Sequence, residues 1–120
     1  MIRIKRAYEP PAPEDGERIL VDRVWPRGVS KEHLHVGAWL RDLAPSTALR
    51  RWFGHDPARW AEFWRCYREE VAAPQQQERL AELASRAQSG TVTLVYGARD
   101  REHNQAVILQ ELLEERLASA

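Results

Sequence analysis

Cysteine is nearly absent: Cys66 stands alone in 120 residues, so no disulfide can form within the chain. A lone thiol fits a reducing, cytoplasmic setting. Long apolar runs are missing as well. No stretch approaches the roughly 18 apolar residues that a membrane span needs. The alternating start Met1-Ile2-Arg3-Ile4-Lys5-Arg6 lacks the apolar run of a signal peptide. Neither charge sign is in surplus, because 18 Lys and Arg face 18 Asp and Glu. That balance argues against strong non-specific nucleic-acid binding. Several site chemistries also lack their residues. There is no glycine-rich phosphate loop followed by Lys-Ser/Thr and no Gly-x-Ser-x-Gly elbow. His33 and His35, two apart with no cysteine nearby, fall on different sides of a helix, so no metal site is expected. No cofactor is implied.

What remains is one domain's worth of chain, 43% hydrophobic and 30% charged. A chain of this size buries roughly two-thirds of its unfolded surface and can build a core without staples. Ile2 to Tyr8 reads as a first strand and Ile19-Leu20-Val21 with Val24 as a second. The loop between them holds Pro10, Pro11, Pro13 and the turn pair Asp15-Gly16. Ser30 caps a short helix over Lys31 to His35. Ser46 caps another from Thr47 to about Phe53, stopped by Gly54. Asp56-Pro57 opens a helix to Ala72 with Trp60, Phe63, Trp64, Tyr67 and Val71 on one stripe. Gln75 to Gln88 forms the next helix. Thr91 to Tyr96 is the clearest strand, and Asp100 caps a last helix from Arg101 to about Ala118.

This order predicts a single compact α/β domain with a small, mostly parallel sheet flanked by helices in Rossmann-like layers. The long helical connection makes the second strand and the Thr91–Tyr96 strand parallel. The first strand's direction stays open between a hairpin and a loop crossover.

In open α/β sheets ligands bind beyond the carboxyl ends of the strands. Asp22 to Gly28 and Tyr96 to Asn104 leave the sheet there and face one crevice if their strands are parallel. Arg23, Arg27, Arg99 and Arg101 bring positive charge, and Gly97 allows close backbone approach. Arginine forks beside a helix N-terminus suit phosphate or carboxylate. The candidate ligand residues are therefore Arg23, Trp25, Arg27, Tyr96, Gly97, Arg99 and Asn104, with Asp22 and His103 as acid–base candidates. Each has a plainer alternative. Asp22-Arg23 can be an ion pair locking the strand end, Asp100 a cap, Trp25 turn packing. His55 reads by default as capping or packing, and Cys66 as structural.

Val21-Asp22-Arg23-Val24-Trp25-Pro26-Arg27-Gly28 resembles the signature of the YeaO-like family, domain of unknown function 488. Trp52-Phe53-Gly54-His55-Asp56-Pro57 and Tyr96-Gly97-Ala98-Arg99-Asp100-Arg101-Glu102-His103-Asn104 match its other two blocks. The resemblance runs from about Ile2 to Leu113. It implies a compact bacterial or archaeal α/β domain with no established activity. Some relatives carry a porphyrin methyltransferase label, but this chain is short and has no cofactor-binding glycine loop. Longer members keep an Asp at the second strand's end and often carry cysteines around the last strand–helix turn. Here that turn has none, so thiol or metal chemistry does not transfer.

The expectation is a cytoplasmic protein binding a small anionic, phosphate-containing ligand, held by Arg27 and Arg99 with Asp22 orienting an arginine. The alternative is a protein- or nucleic-acid-interaction module presenting Trp52 and its neighbours. Full burial of Trp52 and Phe53 beside an open arginine-lined crevice would favour the ligand.

Overall fold

The computed structural model describes residues 1–119. Its apolar and alternating segments form four strands: β1 (Ile2–Arg6), β2 (Glu17–Leu20), β3 (Ala38–Trp39) and β4 (Val92–Tyr96). They make one sheet in the order β1-β4-β2-β3, and every neighbouring pair is parallel. The open direction of β1 is thereby settled as the loop crossover. The chain leaves β1, passes a single 3-10 turn at Pro13–Asp15, and enters β2 on the far side of β4. β4 is buried along its whole length, as a central parallel strand covered on both faces must be.

Among the described residues five α-helices accompany the sheet: α1 (Lys31–Leu34), α2 (Thr47–Phe53), α3 (Trp60–Glu70), α4 (Pro74–Ser89) and α5 (Gln105–Ser119). Local chemistry sets most of their ends. The Ser30 and Ser46 hydroxyls accept the backbone N–H of His33 and Leu49, which satisfies donors that the first helical turn leaves free. Gly54 closes α2 in the left-handed conformation, φ 55°. Asp56 accepts from Ala58 N–H, and a 3-10 turn at Pro57–Arg59 precedes α3.

Strand alternation divides the interior in two. Ile19, Val92, Leu94 and Tyr96 face the larger cluster with Phe53, Phe63, Tyr67, Leu83, Ile108 and Leu109 from the helices. Leu20 and Val95 face a smaller one with Ala7, Val29 and Leu34, edged by Trp25 and Trp39. The four longer helices thus layer one face, while α1 and loops cover the other.

Two expectations are corrected. β3 was not foreseen; its two residues pair with Ile19 and Leu20 at the sheet edge. The last helix starts at Gln105, four residues later than expected, and its cap is Asn104, whose Oδ1 accepts Val107 N–H. Asp100 instead caps the turn before it, accepting from Glu102 and His103 N–H. Among the described residues, no helix is long and apolar enough to cross a membrane.

Candidate functional site

β2 and β4 are adjacent, and their outgoing chains diverge. The segment after β2 leads to α1 on the thin face, and the one after β4 leads to α5 on the helical face. A crevice opens where such connections part. Here it is a cavity of about 390 Å³, within the usual range for small-ligand sites.

Asp22, just past β2, spans the crevice. Its Oδ2 accepts Gly97 N–H at 2.9 Å and its Oδ1 accepts Gln105 Nε2–H at 2.6 Å. Gly97 is needed for this approach: a Cβ there would sit 2.7 Å from Oδ2. So the close contact expected of Gly97 is made to a carboxylate. Asp22 and Arg23 are not paired with each other. The Arg23 guanidinium donates to the carbonyls of Pro45 and Ala44 at 2.8 and 3.1 Å, tying the strand end to the chain before α2. Nor does Asp22 orient any arginine. Burial pushes its carboxyl up to about 6, against the Gln105 amide, the Gly97 N–H and the charges of Arg50 and His55. A carboxyl that titrates near neutrality in a cleft has the character of a functional group.

The other sequence candidates are placed as follows. Trp25 lines the cavity, donates its indole N–H to Val29 O at 2.6 Å and meets Trp39 edge-on. Arg27 lines the cavity and is exposed. Asn104 also borders it, but its amide is committed to Asp100 O and to capping α5. Tyr96 is buried in the main core and Arg99 points to solvent; neither lines the cavity. Arg101 pairs with Glu9 at 2.8 Å. His103 does border the cavity. Its Nδ1 lies 2.8 Å from Asp100 Oδ2 and its ring meets Trp60 edge-on. The Asp100 carboxyl is held below the usual carboxylate range by Glu102 N–H and by His103.

The cavity also takes Arg50 of α2, which the sequence reading did not single out, and His55, which it assigned to capping or packing. His55 has φ 57°, a left-handed conformation unusual outside glycine though less costly for His than for most. Nothing local in Gly54-His55-Asp56-Pro57 says that α2 turns this end toward β2. Apolar walls come from Phe53, Phe63 and Pro45. Neither Arg27 nor Arg50 has a side-chain hydrogen-bond or ion-pair partner among the described residues. The Trp52 block splits: Phe53 is 5% exposed in the core, while Trp52 is 41% exposed with the Arg59 guanidinium over its ring. Among the described residues, no three His, Cys, Asp or Glu gather as a metal site.

A family model described as the inactive DUF488-N3 subclade matches residues 1–120. An uncharacterised protein of Mycobacterium tuberculosis is 41% identical over 112 residues, covering 93% of this chain and 92% of its own. The uncharacterised protein YeaO of Escherichia coli is 39% identical over 113 residues, covering 93% of this chain and 96% of its own. No solved structure matches. The expected resemblance is confirmed along nearly the whole length, and the chain belongs to the DUF488 family, in the subclade described as inactive.

Proposed function

We propose that the chain binds a small phosphate-bearing ligand in the crevice between β2 and β4 and does not turn it over. The observation that carries this reading is the pair of unpartnered guanidiniums, Arg27 and Arg50, on a cavity with both polar and apolar walls at the parting of two connections. A guanidinium without a carboxylate partner is an open fork for an anion. His55 adds a third donor, in place of the Arg99 expected from the sequence. The description of the subclade as inactive supports binding over catalysis. It leaves Asp22 and the His103–Asp100 pair as recognition and positioning groups.

The test is a thermal-shift panel of phosphate, sugar phosphates and nucleotides on the purified chain. A ligand at 100 times its Kd stabilises by about 2.7 kcal/mol, a rise of several degrees in Tm. The rise should vanish in the Arg27→Ala/Arg50→Ala double variant. Absence of a shift with every anion would reject the reading. The interaction-module alternative has one observation in its favour, the exposed Trp52 with Arg59 stacked on it. A single exposed ring is ordinary on a protein surface, so the ligand reading is preferred.

A further inference from the structure

Resting on that reading, we infer that the ligand is a guanine nucleotide, with its base on Asp22 and its phosphate at Arg27 and Arg50. Asp22 is an anion on the wall of a site otherwise built for anions, so the ligand must bring something to it. Each carboxylate oxygen accepts one hydrogen bond from the protein, Oδ1 from Gln105 and Oδ2 from Gly97. Each oxygen of a carboxylate has room for two, and Asp22 has no ion-pair partner among the described residues. The group is therefore held in place by two bonds, keeps one acceptor position on each oxygen, and lines the cavity.

Phosphate and sugar phosphates offer no flat surface for the partly exposed Trp25 ring on the cavity wall, behind which Phe53 and Phe63 are buried. A nucleobase does. Among the common bases, guanine alone presents two adjacent donors on one edge, the ring N1–H and the exocyclic N2–H. They match a carboxylate as the two N–H groups of an arginine fork do. Adenine and cytosine place an acceptor beside their amino group, and that acceptor would face the carboxylate repulsively. Arg27 and Arg50 line the same cavity and are free to take the 5′-phosphate.

The experiment is calorimetric titration of the intact chain with GMP, IMP, AMP, dGMP and ribose 5-phosphate. GMP should bind at least tenfold more tightly than AMP, and IMP, which lacks the exocyclic amine, in between. Asp22→Asn keeps an oxygen for Gly97 N–H and offers the cavity one donor and one acceptor. It should lose the preference for GMP and gain affinity for XMP, whose N1–H and C2 carbonyl match that pattern. Equal binding of GMP, AMP and ribose 5-phosphate would overturn the guanine assignment and leave the anion site standing. A dependence on the ribose 2′-hydroxyl without dependence on the base would put the sugar on Asp22 and overturn it too. No binding by any of the five would overturn both. A GMP preference that survives Asp22→Asn would remove Asp22 as its reader.

Discussion

Asp15, fully buried, and Asp22, half-buried, show how the same side chain is used in opposite ways. Asp15 is fully buried, and burial alone would raise its pKa. The Ala12 N–H, Lys5 and Arg18 outweigh that and hold the carboxyl below its ordinary range. Its contribution to stability is present at neutral pH and is lost only as acid protonates it. Asp22 has no such cations bound to it, and its carboxyl is raised from 3.8 to about 6. Between those values the folded chain holds a proton that the unfolded chain has released. Stability therefore falls as pH rises through this window, and the full cost persists above about 6. Asp22→Asn removes the charge while leaving an acceptor for Gly97, and the Gln105 amide can turn to accept from the new amide. The variant should be more stable than wild type at pH 7.5 by about 1–3 kcal/mol, with the gap closing toward pH 4. Tm measured across that range decides it. An equal gap at both ends would mean that the charge of Asp22 costs the fold nothing. A more stable Asp22→Asn variant would mean that Asp22 is held at the expense of stability, as functional groups are.

The elements were legible wherever the signal was local. Ser46 and Gly54 delimit α2 as read, because cap chemistry acts within four residues. Asp100 misled because it makes the cap-like bonds expected of it, to the N–H groups of a turn, while Asn104 four residues on is an equally suitable cap. β3 was invisible because two residues have no periodicity, and only their pairing with β2 makes them a strand. The site divides the same way. Asp22 and Gly97 could be found because they follow strands whose parallel pairing was predictable. Arg50 and His55 arrive by tertiary packing of α2, and Arg99 departs by the course of one turn. The β1–β2 crossover was left open by the sequence, yet its structure makes a firm demand. Gly16 has φ 61°, and a Cβ on it would lie 2.3 Å from Thr91 O, the oxygen that accepts Glu17 N–H as β2 begins. Both the backbone angle and the contact exclude a side chain. Gly16→Ala should cost about 2–4 kcal/mol, read as a lower urea midpoint with an unchanged slope. A midpoint equal to that of wild type would show that the crossover does not need this geometry.

At the scale of the whole molecule, zero net charge conceals an arrangement. Most arginines are committed: Arg18 to Asp15, Arg86 to Glu17 and Glu82, Arg68 to Glu115, Arg65 to Glu62 and Glu69. Arg27, Arg50, Arg51 and Arg99 are exposed with no ion-pair partner among the described residues. Arg27 and Arg50 line the crevice and Arg99 follows β4, so uncommitted positive charge stands at the carboxyl end of the sheet, with Lys31 on α1 and Arg41 after β3 likewise exposed and without an ion-pair partner among the described residues. A neutral protein with a positive end attracts anions there by a field that salt screens, whereas the buried Asp15 pairs are shielded from it. Raising ionic strength from about 0.1 M to about 1 M shortens the screening length from about 10 to about 3 Å. The affinity for GMP or inorganic phosphate should fall roughly tenfold over that range, while the unliganded Tm changes little. Anion competition at the forks is separated from screening by comparing salts of different anions at one ionic strength, because screening depends on ionic strength alone. If affinity holds at high salt, the ligand is gripped by its apolar part and by Asp22, and the arginines only line the entrance. If affinity falls and the Arg27→Ala/Arg50→Ala variant starts at the high-salt value, the positive end of the sheet is what draws the ligand in.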